Sequence, residues 1–328
     1  MNENRLLTIL MATYNGAQFL EKQLQSICSQ TYTHWELIIR DDGSDDETLH
    51  IIERFAQKDQ RIRRIEYGNL HGTACRNFSQ LFDWAYENQR ETILFADQDD
   101  IWLPNKLESS LDGLIENEII SGVETPILCY SKLSFIDDED RKIDAEIPLP
   151  QTLKLNVLLH ENYAWGCTII INSAAVQKIK HIPTESVNHD YYMALVCAAF
   201  GKNVLLNENL ILYRQHGKNV SGNVDKMSFT ARFQRYLGQS DTMLKPLIAN
   251  YSLVQSFYER YETDPAFAEK QIVAGFLTKY QSGFLPLALY MLKHKLMKIG
   301  IGKNMVYFYT LFLLRKKVVQ AIETGGRV

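Results

Sequence analysis

The sequence lacks several features that would place it in a common protein class. Its five cysteines are odd in number, widely spaced and never in a Cys-x-x-Cys pair, which disfavours a disulfide framework. No run reaches the roughly 20 apolar residues that a bilayer-spanning helix needs; the most hydrophobic stretch, 305–314, is about half as long. The net charge of -4 offers no basic excess, so nucleic acid is not expected as a partner.

Signatures of several enzyme classes are also missing. The chain has no Gly-x4-Gly-Lys-Ser/Thr phosphate loop, no Gly-x-Gly-x-x-Gly after its first apolar run, no Gly-x-Ser-x-Gly elbow and no His-Glu-x-x-His. These absences argue against a kinase, dehydrogenase, esterase or zinc protease. The amino terminus enters the apolar segment 7–12 without an export signal, so we expect a cytoplasmic protein whose cysteines are reduced, small apolar fillers.

The first hundred residues alternate β-branched runs with segments of helical length. Predicted strands recur about every 27 to 30 residues, the size of a βαβ unit, which indicates a mainly parallel, twisted, Rossmann-like α/β sheet. The strands are expected at 7–12, 35–40, 64–67 and 92–96, and the helices at 17–30, 46–57, 73–88 and 104–117, with Pro104 in a first helical turn. Ligands bind beyond the carboxyl ends of such strands.

The second half of the sequence predicts three more strands and a helix, followed by a region that is helical throughout. Strands are expected at 126–137, 167–172 and 203–213, with a helix at 190–200. From about residue 228 the pattern is helical. We therefore predict a catalytic domain over 1–225, with a ligand-binding half at 1–105 and a second half at 106–225, followed by a helical extension over 226–328.

Polar loops follow the first two predicted strands. Thr13-Tyr14-Asn15-Gly16 ends the first strand, and Asp41-Asp42-Gly43-Ser44 ends the second. Glycine permits close approach to the backbone, and carboxylates accept hydrogen bonds from a base or a ribose, so both loops suit a nucleoside. Two ordinary turns that cap the next helices remain an alternative for either loop alone.

Three carboxylates crowd the end of the fourth predicted strand. Asp97, Asp99 and Asp100 lie within four residues, where like-charge repulsion would be unfavourable without a neutralising cation. Oxygen ligands favour Mg²⁺ or Mn²⁺, which usually combine one or two carboxylates with phosphate oxygens and water. The alternative is an acidic loop in which Asp99 or Asp100 caps the next helix.

With these motifs in place, the chain resembles the inverting glycosyltransferases of family 2, which have the GT-A nucleotide-diphosphosugar transferase fold. The resemblance is continuous over about the first 105 residues, and the forms Asp-Gln-Asp-Asp-Ile-Trp and His-Asp-Tyr-Tyr look like the rhamnosyltransferase-like branch. The segments that carry it are Ala12–Asn15, Gln30–Tyr32, Trp35-Glu36, Asp41–Asp45, Gly72, Arg76-Asn77, Asp97–Asp100, Trp165–Thr168, His189–Tyr192 and Tyr213–His216.

The resemblance implies roles for the first group of polar residues. A nucleotide-diphosphate sugar would be the donor, with its pyrimidine base at Asp42. Thr13 and Tyr14 would line the nucleoside pocket, together with the neighbouring Asn15 and Asp41. Arg76 would lie near the donor phosphates or sugar.

It also implies a metal site. Asp97 would hold the ribose or sugar side of the donor, and Asp99 would bind the Mg²⁺ or Mn²⁺ ion that holds the diphosphate. His216 would complete the metal shell as in some relatives; alternatively it is a loop residue or an outer hydrogen-bond partner.

Asp190 is the predicted catalytic base. Inverting transfer needs a group opposite the leaving diphosphate that takes the proton of the acceptor hydroxyl, and a carboxylate at a helix start can do this. The same residue could also cap the helix that follows it, and the two roles are compatible. The expected acceptor is a saccharide or a polyprenyl-linked saccharide.

The end of the chain is strongly basic. Residues 284–328 carry the single acid Glu323 and a net formal charge of +7, from Lys293, Lys295, Lys298, Lys303, Arg315, Lys316, Lys317 and Arg327. Interleaved apolar residues fit two arrangements equally: peripheral contact with an anionic membrane leaflet, or packing on the catalytic domain with solvated lysines.

Three functions remain compatible with these motifs. The first is a hexosyltransferase, with L-rhamnose from dTDP-rhamnose as the expected donor and a UDP-sugar carrying galactose, glucose or N-acetylglucosamine as the alternative. The second is a non-catalytic nucleotide-sugar-binding subunit, which is disfavoured because Asp42, Asp97, Asp99 and Asp190 are all present. The third, a nucleotidyltransferase, lacks the glycine-rich, arginine-containing start that it needs.

Overall fold

The computed structural model describes residues 4–69, 72–183, 188–216 and 240–324. Its elements in chain order are β1 (Leu7–Thr13), α1 (Ala17–Cys28), β2 (Trp35–Asp41), α2 (Thr48–Lys58), β3 (Ile62–Arg64), α3 (Ala74–Glu87), β4 (Ile93–Ala96), β5 (Ile101–Trp102), α4 (Lys106–Ser121), β6 (Ile127–Ile136), β7 (Lys142–Ile143), α5 (Leu155–Leu158), β8 (Ile169–Ile171), α6 (Ser173–Ile179), α7 (His189–Phe200), β9 (Lys202–Arg214), α8 (Ser240–Tyr261), α9 (Lys270–Ser282), α10 (Phe284–His294) and α11 (Ile301–Glu323).

The strands form one nine-stranded sheet in the order β3-β2-β1-β4-β8-β6-β9-β5, with β7 on β6. The first four strands pair in parallel, as the βαβ spacing predicted. Beyond them β8 runs antiparallel to both β4 and β6, and β9 returns parallel to β6. Because β8 is antiparallel to both of its neighbours, β6 runs in the same direction as β4, and so does β9.

Helices cover both faces of the sheet, because the central strands are apolar on both sides. In β1, Leu7, Ile9 and Met11 face a core that includes residues of α1, α2 and α4. Leu10 faces the opposite core, which includes residues of α3 and α7 and continues into α8 to α11. The C-terminal helices therefore share a core with the sheet, and the predicted boundary at 225/226 lies outside the described residues.

Most predicted elements are present, with shifts at their ends. The third strand was expected at 64–67 and lies at Ile62–Arg64. Pro104 precedes α4 instead of occupying its first turn, because Lys106 opens the helix. The short elements β5, β7, α5 and α6 were not anticipated. All five cysteines are free, and only Cys28 is partly exposed, as expected for apolar fillers.

Candidate functional site

The polar residues singled out in the sequence meet at one edge of the sheet. Strands β1, β2 and β4 are parallel, so Thr13, Asp41 and Asp97 leave the sheet on the same side. Strand β9 has the same direction as β4, and it brings His216 to this edge from more than a hundred residues away. The strand directions therefore bring these residues together beyond the carboxyl ends of the strands, where a ligand site is expected in such sheets.

The loop after β2 is built around Asp41. One oxygen of this carboxylate accepts hydrogen bonds from the hydroxyls of Thr13 (2.8 Å) and Ser44 (2.6 Å). The other accepts from the amides of Gly43 (3.0 Å) and Ser44 (2.8 Å). Asp41 therefore ties β1 to the β2 loop and fixes the backbone around Gly43, whose φ of 88° suits glycine.

The loop after β1 is held from two sides. The Asn15 amide donates to Ser44 Oγ at 2.8 Å, and Asn15 Oδ1 accepts from the Asp45 amide at 2.9 Å. Gln98 pairs with both backbone groups of Tyr14, at 2.9 and 3.0 Å. The Tyr14 ring itself is 57% exposed, so it is available to cover a ligand.

Asp42 and Arg76 flank this loop from the side of α3. The Asp42 carboxylate accepts from the Gly72 amide at 2.8 Å and lies 3.5 Å from Arg40 Nη1. Asn77 is buried, donates to the carbonyls of Thr13 (3.4 Å) and Arg40 (3.1 Å), and accepts from Arg40 Nη1 at 3.0 Å. Asn77 thereby joins the ends of β1 and β2, while Arg76, one residue earlier, is exposed.

The three carboxylates after β4 point in different directions. Asp99 Oδ2 is 2.8 Å from His216 Nε2 in a partly buried hydrogen bond. Asp100 is fully buried; one oxygen accepts from the Arg214 amide at 3.0 Å, and the other has no hydrogen-bond partner among the described residues. Burial, with the charges of Asp99 and Asp190, raises the pKa of Asp97 to about 7.

Two buried basic residues support this acidic corner. Arg214 donates from Nε to the Asp99 carbonyl (2.8 Å) and pairs with Asp140 at 2.5 Å. Lys106 Nζ donates to the Cys167 carbonyl at 3.0 Å, and burial lowers its pKa to about 8. From the sequence, a divalent cation was expected to neutralise these carboxylates; in the structure, two buried basic side chains also lie beside them.

One group of three side chains among the described residues has the spacing to hold a cation, and it does not include the predicted ligands Asp99 and His216. Ligand atoms of Asp97, Asp100 and Cys167 lie within 4.8 Å of one another. Burial and the nearby carboxylates hold the pKa of the Cys167 thiol well above its usual range, so it is a poor partner for a hard cation. Asp99 and His216 suit Mg²⁺ or Mn²⁺ better, since they offer partly exposed oxygen and imidazole donors, but in the described part of the chain no third His, Cys, Asp or Glu ligand atom completes a group with them.

Asp190 lies in the first turn of α7, and Asn188 is the N-cap, so the capping alternative for Asp190 is not what the structure shows. Its Oδ2 accepts from the Gly166 amide at 2.9 Å, while Oδ1 is buried without a hydrogen-bond partner in the described part of the chain. Burial raises the pKa of Asp190 to about 6. The charge of Asp190 also raises the pKa of Asp97, so the two carboxylates lie near each other.

His189 and Gly166 fix the position of this base. The His189 ring stacks on Phe78 with ring centres 4.0 Å apart, and burial lowers its pKa to about 3, so it is neutral. A Cβ on Gly166 would lie 2.5 Å from His189 Nε2. Only glycine therefore lets the 166 amide reach Asp190 while the imidazole packs behind it.

Sequence reasoning overlooked several of these supporting residues. Asn77 and Arg214 stand in segments that carried the family resemblance, beside residues that were singled out. Gln98 lies between two predicted ligands. Lys106 had no sequence signal, because a lysine in a helix is normally solvated.

The C-terminal helices are amphipathic in the structure. Buried residues such as Tyr307 and Leu311 pack on the catalytic core, and Tyr307 Oη is 3.1 Å from His160 Nδ1. Of thirteen exposed large apolar side chains in the described chain, eight lie on α10 and α11. These eight form what we call the C-terminal apolar face: Leu285, Leu289, Leu292, Ile301, Met305, Tyr309, Phe312 and Leu313. Among the described helices, none combines the length and apolar character needed to cross a membrane.

Comparison with known proteins agrees with this architecture. The chain is 28% identical over 236 residues to the dTDP-rhamnosyl transferase RfbG of Shigella flexneri, covering 69% of this chain and 77% of RfbG. It is 28% identical over 193 residues to the UDP-Glc:alpha-D-GlcNAc-diphosphoundecaprenol beta-1,3-glucosyltransferase WfgD of Escherichia coli, covering 59% of this chain and 70% of WfgD.

Among solved structures, residues 1–349 of S. aureus TarS in complex with UDP-GlcNAc match with a TM-score of 0.56 and 14% identity, over 95% of this chain and 82% of that one. This similarity supports the predicted GT-A fold with a helical C-terminal part. Residues 8–177 match the family described as Glycosyl transferase family 2, which is more than half of the chain. The protein therefore belongs to glycosyl transferase family 2 and is a glycosyltransferase.

Proposed function

We propose that this glycosyltransferase moves a hexosyl residue, L-rhamnose from dTDP-rhamnose, with inversion onto a hydroxyl of a saccharide or lipid-linked saccharide acceptor in bacterial cell-surface polysaccharide synthesis. One observation carries the proposal. A buried carboxylate with a raised pKa, Asp190, lies close enough to the acidic residues at the end of β4 for its charge to raise the pKa of Asp97. A base and a diphosphate-binding corner are what a single displacement at an anomeric carbon requires.

Donor binding is assigned to the edge of β1, β2 and α3. Asp42 receives the pyrimidine base, and Thr13 and the exposed Tyr14 line the nucleoside pocket. Asn15 and Asp41 shape the same pocket, because their hydrogen bonds to Ser44, Asp45 and Thr13 hold its two loops together. Arg76 is placed at the donor phosphates, where the exposed start of α3 also offers a favourable helix dipole.

Asp97 is assigned to the ribose or sugar of the donor, and Asp99 with His216 to the metal. The site suits Mg²⁺ or Mn²⁺ because its accessible donors are carboxylate oxygens and one imidazole, and because burial and the neighbouring carboxylates Asp99 and Asp190 raise the pKa of Asp97. When bound, such an ion stabilises the negative charge that develops on the leaving diphosphate.

Asp190 is assigned as the base. Its pKa of about 6 makes it a better proton acceptor at neutral pH than an ordinary carboxylate and still leaves it largely ionised. An alcohol is far less acidic than this group, so we expect proton transfer to be late, after most of the glycosidic bond has broken. The bond to the Gly166 amide leaves Oδ1 available for the acceptor hydroxyl.

Similarity to RfbG supports dTDP-rhamnose as the donor. A UDP-sugar is the alternative, since WfgD is named for UDP-Glc and the TarS complex contains UDP-GlcNAc. The test is turnover of purified protein with a panel of sugar nucleotides in MnCl₂ or MgCl₂. Conversion of dTDP-rhamnose is expected; use of UDP-sugars alone would replace the donor assignment, and nucleotide binding without turnover of any donor would favour a non-catalytic binding subunit.

We also propose that the protein works at the cytoplasmic face of the membrane, where a polyprenyl-linked acceptor would reside. The C-terminal apolar face supports this, because its side chains remain exposed while the opposite sides of α10 and α11 are packed. Exposed lysines on or beside these helices include Lys293, Lys303 and Lys316. Each basic residue near an anionic surface contributes about 1 kcal/mol.

Vesicle sedimentation tests this location. The protein should pellet with vesicles that contain phosphatidylglycerol and be released by high salt, and the paired substitutions Leu289→Glu and Phe312→Glu should abolish pelleting. Ile119→Glu is a matched control, since Ile119 is 80% exposed on α4. Equal pelleting of wild type and the paired variant would contradict the proposal.

A further inference from the structure

A hollow of about 270 Å³ lies next to Trp165, the residue before the glycine that holds the proposed base. It is bordered by the second half of β6, by β7 and the segment after it, and by Trp165. Its volume is close to the lower end of ordinary ligand pockets, about 300–1,000 Å³. The hollow therefore has the size for a small ligand such as one or two sugar rings.

Two connections link this hollow to the reacting groups. Trp165 lines it, and the next residue, Gly166, donates its amide to Asp190 Oδ2. On the other side, the turn between β6 and β7 is held by Arg214, which donates to the Asp137 carbonyl at 2.8 Å. Arg214 also donates to the Asp99 carbonyl, so the wall of the hollow, the base and the acidic corner are connected by hydrogen bonds.

The charges around the hollow balance. Its lining contains two lysines, Lys132 and Lys142, and two carboxylates, Asp144 and Glu146. None of the four forms an ion pair within 4.0 Å among the residues that the structure describes. A site for a diphosphate would carry a positive excess. A lining with no net charge, with separate donors and acceptors, instead suits the many hydroxyl groups of a neutral sugar.

Trp165 adds an aromatic surface to this lining. It is only partly buried, although the residues that follow it, Gly166 and Cys167, are fully enclosed. A large, rigid aromatic side chain provides contact area at little cost in conformational entropy. The apolar face of a pyranose ring is a suitable partner, while Asn209 and Ser134 offer further hydrogen bonds at the rim.

We propose that this hollow binds the neutral sugar ring of the acceptor, with Trp165 against the ring and Asp144, Glu146 and Lys132 on its hydroxyl groups. The proposal rests on the proposed function, because it identifies the acceptor side of the same reaction. It places the acceptor sugar, rather than a lipid diphosphate, against Trp165, one residue before the glycine whose amide holds Asp190.

Ligand-observed NMR on the full chain tests this without turnover. The probes are methyl pyranosides of glucose, galactose, N-acetylglucosamine and rhamnose, with inorganic pyrophosphate as the anionic comparison. At least one neutral pyranoside should bind to wild type, and pyrophosphate should not displace it. Trp165→Ala should weaken this binding about tenfold, which corresponds to about 1.4 kcal/mol.

Two further variants keep the test decisive. Glu146→Gln changes an exposed residue and should weaken sugar binding severalfold even if Trp165→Ala misfolds. Trp84→Ala is the matched control, because Trp84 is partly buried on α3 among arginine side chains and lies outside the hollow. It should leave sugar binding unchanged.

Donor binding can be measured separately from sugar binding, so a failure of this proposal differs from a failure of the proposed function. Calorimetry with dTDP or UDP in MnCl₂ reports the donor site, and all three variants should retain wild-type nucleotide affinity. Intact nucleotide binding with no pyranoside bound at the solubility limit would overturn the acceptor-pocket proposal alone. Displacement of the sugar by pyrophosphate, or equal sugar affinity in wild type and both pocket variants, would overturn it as well.

Discussion

Replacing Asp190 with asparagine should make the protein more stable and far less active. Burial raises the pKa of this carboxyl from 3.8 to about 6. A folded-state pKa above the unfolded value means that protonated Asp190 favours folding, and that this stability is lost as the pH rises through about 6. At 1.36 kcal/mol per pKa unit, the ionised carboxylate costs about 3 kcal/mol at pH 8.

Asparagine removes this charge and keeps the shape. Its side-chain oxygen can still accept the Gly166 amide, so the loop before β8 should be retained. Thermal unfolding at pH 8 should therefore occur at a higher temperature in Asp190→Asn, by about 2–4 °C per kcal/mol for a chain of this size. The advantage should disappear below about pH 4, where the wild-type carboxyl is also protonated.

Activity should move in the opposite direction. Loss of a general base lowers turnover by about 10²–10⁴-fold, while affinity for a nucleotide in MnCl₂ should be unchanged. Asp112→Asn, an exposed carboxylate on α4, should alter neither property. If Asp190→Asn lowered the melting temperature at pH 8 and turned over donor normally, the carboxylate would be a structural anchor for Gly166 and its catalytic assignment would be refuted.

Three further substitutions probe other parts of the site. Gly166→Ala places a Cβ 2.5 Å from His189 Nε2, so steady-state kinetics should show a large loss of turnover with nucleotide affinity kept; wild-type kinetics would contradict the packing argument. Asp99→Asn should abolish the increase in melting temperature that MnCl₂ and nucleotide together give wild type, and an unchanged increase would remove Asp99 from the metal site. Asn77→Ala should lower the free energy of unfolding by about 1–3 kcal/mol in urea titrations, because buried groups of Arg40 and Thr13 each lose a hydrogen bond; no loss would mean that these bonds contribute nothing.

The half of the fold made of regular βαβ units was predictable from sequence. Strands β1, β2 and β4 are mainly apolar and end in polar loops, and each boundary agrees within about two residues, the usual uncertainty of such boundaries. The third strand was displaced because Ile62 is its only buried residue, so no apolar run marks it. Strands β5 and β7 have two residues each and no local signal: β5 is created by pairing with the distant β9, and β7 pairs across a short turn with the end of β6.

The sequence identified the polar residues at the strand ends of the site, but it could not show which of them hold the loops and which remain open to a ligand. Asp41 and Asp42 are adjacent in the chain, yet Asp41 fills its loop with four hydrogen bonds while Asp42 reaches the Gly72 amide. The role of Lys106 beneath the acidic corner depends on the packing of α4, which no motif encodes. Long-range contacts of this kind are specified only by the assembled core.

The most direct test is a crystal structure of the protein with MnCl₂ and dTDP, measured with manganese anomalous scattering. We predict one strong peak between Asp99 and His216, in contact with the diphosphate, with the thymine base at Asp42. An empty acidic corner, with the nucleotide bound elsewhere or with manganese held by Asp100 and Cys167 away from any phosphate, would contradict the assigned donor and metal site.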